Sequence, residues 1–174
     1  MELRRESETA PKKTRTTVER KSERELVVTR IVNGPPRIVF EAFANPELFK
    51  RWWVPKSFGV SMVSCEMDVR VGGPYRLVFR HGDSEPMAFF GKYLDVKPPS
   101  RLVWTNDEGE DGGEITTVTF EAKGDKTLLV MHDLYPSKEA LDAAMASGEK
   151  SGTDETFEQL DELLAALGAT AGQR

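Results

Sequence analysis

One cysteine and two histidines are all that the 174 residues offer of the side chains that most often build disulfides, zinc sites and nucleophile–base pairs. A lone Cys65 excludes an intramolecular disulfide and any zinc site built on cysteines. His81 and His132 are the only imidazoles. Positive charge is not in excess either. The formal net charge is -5, which argues against general nucleic-acid binding, a function that needs a basic face. No apolar run approaches the ~20 residues of a membrane-spanning helix. The opening residues, "MELRRESETAPKKTRTTVERKSERE", have no apolar core of a signal peptide. Together these absences point to a reducing, cytoplasmic setting, with no membrane and no nucleic-acid partner.

Catalytic motifs are missing as well. No serine sits in a G-x-S-x-G elbow. Gly72-Gly73 lacks the spacing and the following helix of a phosphate loop. No histidine and carboxylates fall at metal-ligand spacing. The expectation is a protein without cofactor or metal, and one that leans away from catalysis.

What is present is a core. The hydrophobic fraction is 39%, enough for one domain at this length. Residues 1–15 are polar and mixed in charge, and read as a mobile tail. Residues 16–168 form the single domain, and 169–174 a short C-terminal tail. Residues 25–32, "ELVVTRIV", predict a strand whose upstream start is left open. After Pro35-Pro36, Ile38, Val39, Ala42 and Phe43 recur at helical spacing. Asn45-Pro46 ends that helix and caps a second one, through Leu48, Phe49 and Trp52 to Pro55. Six runs follow: "VSMVSCEMDVRV", "PYRLVFRH", "MAFFGKYLDV", "RLVWTN", "ITTVTFEA" and "KTLLVMHDL". Gly, Pro and Asp turns separate them, which predicts an antiparallel meander. Ser137 caps a short helix, and "SGEKSG" breaks or bends the chain after it. In "TDETFEQLDELLAAL", Phe157, Leu160, Leu164 and Leu167 make one apolar stripe, with Gly168 as its expected stop.

Trp52 and Trp53 are adjacent, and adjacent helical residues do not share a face. Trp52 follows Leu48 and Phe49 at core spacing and is expected to be the more buried. Trp53 is then left for a mouth or a loop. Glu66, Asp68 and Arg70 alternate along one face, where a salt bridge and a Gly72-Gly73 turn explain them best. Cys65 sits among apolar residues and reads as buried and inert. His132 and Asp133 are neighbours on a strand and point to opposite faces. Of the two, His132 is taken as the candidate for a ligand contact.

Five stretches carry a family likeness: "PPRIVFEAFANPELFKRWW", "CEMDVRVGGPYRLVFR", "GKYLDVKPPSRLVWT", "TTVTFEAKGDKTLLVMH" and "ETFEQLDELL". In this order they resemble the START/Bet v 1-like (SRPBCC) superfamily, and within it the branch similar to activators of heat-shock-protein ATPase. Thr153 departs from the hydrophobic residue often found there, which loosens the expected start of the final helix. The resemblance implies an α+β helix-grip fold. In it, a curved antiparallel sheet wraps a long C-terminal helix, two short helices follow the first strand, and a cavity is left between sheet and helix. It implies binding of a small hydrophobic or aromatic molecule, with Trp53, Tyr75, Phe79, Phe89, Trp104 and His132 as candidate lining residues. A cyclase- or hydrolase-like enzyme working through His132, Glu66 and Asp68 is an alternative. A chaperone-interacting module is another, and a homodimer contact is compatible with each.

Overall fold

The computed structural model describes residues 16–107, 113–147 and 152–172. The expected tail at residues 1–15 and the break at 148–151 lie outside them. β1 (Thr17–Arg20) leads into β2 (Glu25–Val32). Helices α1 (Pro36–Ala44) and α2 (Pro46–Trp52) follow, with a 3-10 turn at Lys56–Phe58. The meander is β3 (Val60–Met67), β4 (Pro74–His81), β5 (Met87–Lys97), β6 (Arg101–Asn106), β7 (Glu114–Lys123) and β8 (Lys126–Leu134). Helices α3 (Lys138–Ser147) and α4 (Thr153–Gly172) complete the fold.

Among the described residues the eight strands form one antiparallel sheet, ordered β1-β2-β8-β7-β6-β5-β4-β3. Strand alternation decides which side chains enter the core. On β2, Leu26, Val28, Arg30 and Val32 are buried while the residues between them are not. On β8 the buried set is Thr127, Leu129, Met131 and Asp133. Register shifts between Met62 and Ser64, and between Tyr93 and Asp95, add bulges that increase local twist. Gly91 is required at a close approach, since a Cβ there would lie 2.0 Å from the Thr105 carbonyl oxygen.

The curved sheet and its C-terminal helix make this an α+β helix-grip fold. Leu160, Leu163 and Leu164 are buried on α4, in one core with Phe43, Val118, Phe120 and Leu129. Both caps expected from sequence are present. Asn45 Oδ1 accepts from Glu47 N at 2.9 Å, and Ser137 Oγ accepts from Ala140 N at 3.0 Å.

Three boundaries differ from the sequence-based expectation. β1 adds an exposed edge strand before β2. β3 stops at Met67 because the next residues close a turn, with Arg70 N donating to Asp68 O and Gly73 N to Arg70 O. Arg70 Nε also pairs with Asp68 at 3.0 Å, and Glu66 lies exposed across from Arg76. These charges therefore form a surface ion pair and a turn. Gly168 does not stop α4, which continues to Gly172.

Polar ties on two flanks hold α4 to the rest. Arg30, 2% exposed, reaches Asp154 and Asp161 of α4 at 2.9 Å each. On the other flank, Gln159 Nε2 donates to Trp52 O at 3.0 Å and Val54 O at 2.9 Å. Its Oε1 accepts from Lys56 N at 2.9 Å. Glu155 accepts from the Ser57 backbone and hydroxyl, which lowers its carboxyl pKa below the usual range.

Leu160→Ala is expected to cost about 2–5 kcal/mol in a denaturant titration, as a fully buried leucine in a packed core. Gln159→Ala strands three backbone groups and is expected to cost about 1–3 kcal/mol. A change within about 0.5 kcal/mol for either would contradict this account of how α4 is held.

Candidate functional site

The apolar stripe of α4 fills only part of the concave side. Beside it lies a cavity of about 460 Å³. Strands β4 to β8 supply much of its wall through inward-facing positions, and α2 with the loop after it closes one side. Trp53, Tyr75, Phe79, Phe89 and Trp104 all line it.

The tryptophan pair divides as helical geometry demands. Trp52 is fully buried, with its Nε1 donating to Ala42 O at 3.0 Å. Its ring meets Phe43, Phe49 and Phe157 at centroid distances of 4.8, 5.5 and 6.1 Å. Trp53 is half-buried, stacks on Phe49 at 4.7 Å and forms part of the cavity wall. Pro55 and Phe58 extend that wall. Gly152 allows the start of α4 to approach them, since a Cβ there would come within 2.7 Å of Pro55 and 2.8 Å of Phe58.

His132 is not in the lining. Its neighbours Met131 and Asp133 are, and strand alternation sends His132 to the opposite face. There its Nε2 lies 2.8 Å from Glu25 Oε2, a contact that lowers the Glu25 carboxyl pKa. His132, named as a candidate lining residue, is therefore outside the lining, and Asp133 is inside it. Glu66 and Asp68 also lie outside the lining.

A polar set of which sequence reasoning named only Tyr75 as a lining candidate crosses the sheet at the Tyr75 end of β4. Tyr75 Oη lies 2.6 Å from Thr105 O and 3.1 Å from Asn106 Oδ1. Asn106 Nδ2 donates to Thr116 Oγ1 at 3.3 Å, and Thr116 Oγ1 donates to Asp133 Oδ1 at 2.7 Å. Asp133 is 3% exposed. Register places Tyr93, Trp104, Thr116 and Asp133 in one row across β5 to β8. Burial pushes the Tyr93 phenol well above its ordinary pKa, so it stays protonated. Among the described residues, no three of His, Cys, Asp and Glu converge as metal ligands.

Residues 33–165 match the family described as "Activator of Hsp90 ATPase homolog 1-like protein". The chain belongs to this family. No curated protein matches it. A crystal structure of a Rhodobacter sphaeroides protein aligns with TM-score 0.80 at 25% identity, covering 88% of this chain and 99% of that one. A Chromobacterium violaceum protein aligns with TM-score 0.68 at 27% identity, covering 82% and 98%. The solution structure of an AHSA1-like protein from Aeromonas hydrophila has TM-score 0.61 at 18% identity, covering 82% and 94%, a likeness of fold alone.

In this Hsp90-activator-like domain Cys65 is half-buried and outside the cavity lining, with its Sγ 3.4 Å from Met67 Sδ. Burial raises its pKa to about 11, outweighing the favourable charge of Lys50. The thiol is therefore neutral at pH 7, and its thiolate fraction grows as pH rises toward that value. Iodoacetamide is expected to label native Cys65 more slowly than the unfolded chain, with the native rate still climbing as pH approaches the raised thiol pKa of about 11. A native rate that levels off near pH 8.5, the ordinary value of roughly that size, would contradict this environment.

Proposed function

We propose that the protein binds a small hydrophobic or aromatic molecule in the cavity between sheet and α4. The observation that carries this reading is the lining itself: a space of about 460 Å³ walled by Trp53, Phe79, Phe89, Tyr93 and Trp104, with a few polar groups at one end. That combination of apolar walls and sparse directing groups is what small-molecule sites generally have. The setting we infer is cytoplasmic, in keeping with a single unpaired thiol. No helix among the described residues is long and apolar enough to cross a membrane.

Membership of a family named for Hsp90 ATPase activation supports a second reading, contact with a chaperone of the Hsp90 class. Phe90 and Leu94 alternate on the outward side of β5, 42% and 40% exposed, and offer apolar area for such a contact. Pull-down with the chaperone, compared between the wild type and Phe90→Ser/Leu94→Ser, separates this reading from cavity binding. The enzyme alternative loses its nominated residues, since His132, Glu66 and Asp68 all lie outside the lining.

Two single variants test the cavity reading. Trp52→Ala is expected to lower the unfolding midpoint by an amount matching about 3–5 kcal/mol, the usual cost of removing a buried aromatic ring. Trp53→Ala is expected to cost less stability and to change the affinity for a neutral apolar fluorescent probe such as N-phenyl-1-naphthylamine. Equal destabilisation with unchanged probe binding would mean that both rings are packing alone.

A further inference from the structure

The cavity is polarised along the strands. Its apolar end is formed by Val60 at the start of β3, Phe79 near the end of β4 and Met87 at the start of β5. Its polar end is formed by Tyr75 near the start of β4, Asn106 at the end of β6, Glu114 at the start of β7 and Asp133 near the end of β8. Along β4, Tyr75 and Phe79 are four residues apart, about 13 Å at ~3.3 Å per residue. A ligand lying along this direction meets hydrocarbon at one end and carboxylates at the other.

The polar end has a sign. Asp133 and Glu114 are its ionisable groups, with the Tyr75 phenol beside them. Among the described residues the lining holds no lysine, arginine or histidine. Thr116 orients Asp133 by donating to Oδ1, and Asn106 in turn donates to Thr116. An ionised carboxylate is an acceptor only. Trp104 pairs with Thr116 across β6 and β7, and Tyr93 pairs with Trp104, so both rings stand in the row of Asp133, two and three strands away from it. Within a low-dielectric cavity, a fatty-acid-type carboxylate placed at this end would meet like charge, whereas an ammonium group would meet acceptors.

We propose that the ligand is a cationic amphiphile: an alkyl or aryl body with a primary amine, or a similar hydrogen-bond-donating cation, held at Asp133 and Glu114. This rests on the cavity-binding reading above and names the class of molecule it selects.

The test uses three probes of one chain length: decylamine, decanol and decanoate. Each competes with a neutral apolar fluorophore, N-phenyl-1-naphthylamine, on the full chain at pH 7. Decylamine is expected to bind at least about tenfold more tightly than decanol, the scale of one charge-assisted hydrogen bond, and decanoate more weakly than either. Asp133→Asn keeps an acceptor for Thr116 and removes the charge. It is expected to abolish most of the amine preference while decanol affinity stays within about twofold, because uncharged contacts are retained. Glu114→Gln, at a half-exposed position that leaves the Asp133–Thr116 bond intact, is expected to reduce the preference in part and serves if Asp133→Asn folds poorly. Equal or tighter binding of decanoate, or an amine preference that survives both variants, overturns the proposal. If none of the three displaces the fluorophore, cavity binding itself fails, and the head-group assignment fails with it.

Discussion

The side chain of Gln159 is the small interaction on which much else turns. A helix ends with carbonyls that have no partner within it, and α2 ends in the protein interior beside a buried tryptophan. Gln159 reaches across from α4 and satisfies Trp52 O, Val54 O and Lys56 N together. It is buried itself, so its amide would be costly there without those partners. The arrangement sets the distance between α4 and the segment carrying Trp53, Pro55 and Phe58. That distance is also the width of one cavity wall.

Arg30 plays the matching part on the opposite flank. Its guanidinium lies on the concave side of β2 and meets two aspartates of α4, one of which also accepts from the Asn33 backbone at 2.9 Å. A buried ion pair contributes little net stability against a well-packed apolar substitute, yet breaking one partner leaves a buried charge. Its effect is positional: α4 is fixed in register by directional bonds on both sides, while leucines supply the non-directional burial between them. The helix cannot slide to fill the remaining space, and the cavity persists as a consequence.

Several features were legible in the residues because their causes are local. Caps at Asn45 and Ser137 depend on a side chain and the next turn of backbone. The unequal fates of Trp52 and Trp53 follow from the ~100° rotation between neighbours on a helix. Trp53, Tyr75, Phe79, Phe89 and Trp104, named as candidates on the family likeness, are all aromatic and all lie in the cavity lining. His132 was the exception, and the reason is specific. In "KTLLVMHDL" both alternating sets are largely apolar, Leu129 and Met131 on one and Leu128 and Val130 on the other. The pattern therefore leaves the inward set open. Pairing with β2 and β7 on either side settles it and buries Asp133 in place of His132.

By itself, the sequence determined the order of elements from β2 onward, the apolar stripe of α4 and the aromatic supply for a cavity, because periodicity, caps and turns act over a few residues; the helix-grip fold class was implied by the family likeness of its motifs. Only the tertiary structure decided the face of β8, the turn that cuts β3 short at Met67, and the hydrogen-bonded set that brings Tyr75, Asn106, Thr116 and Asp133 together from four strands. Those residues lie up to 58 positions apart in the chain (133 − 75). Their meeting depends on strand register, and register is set by long-range pairing and by burial of a whole sheet face.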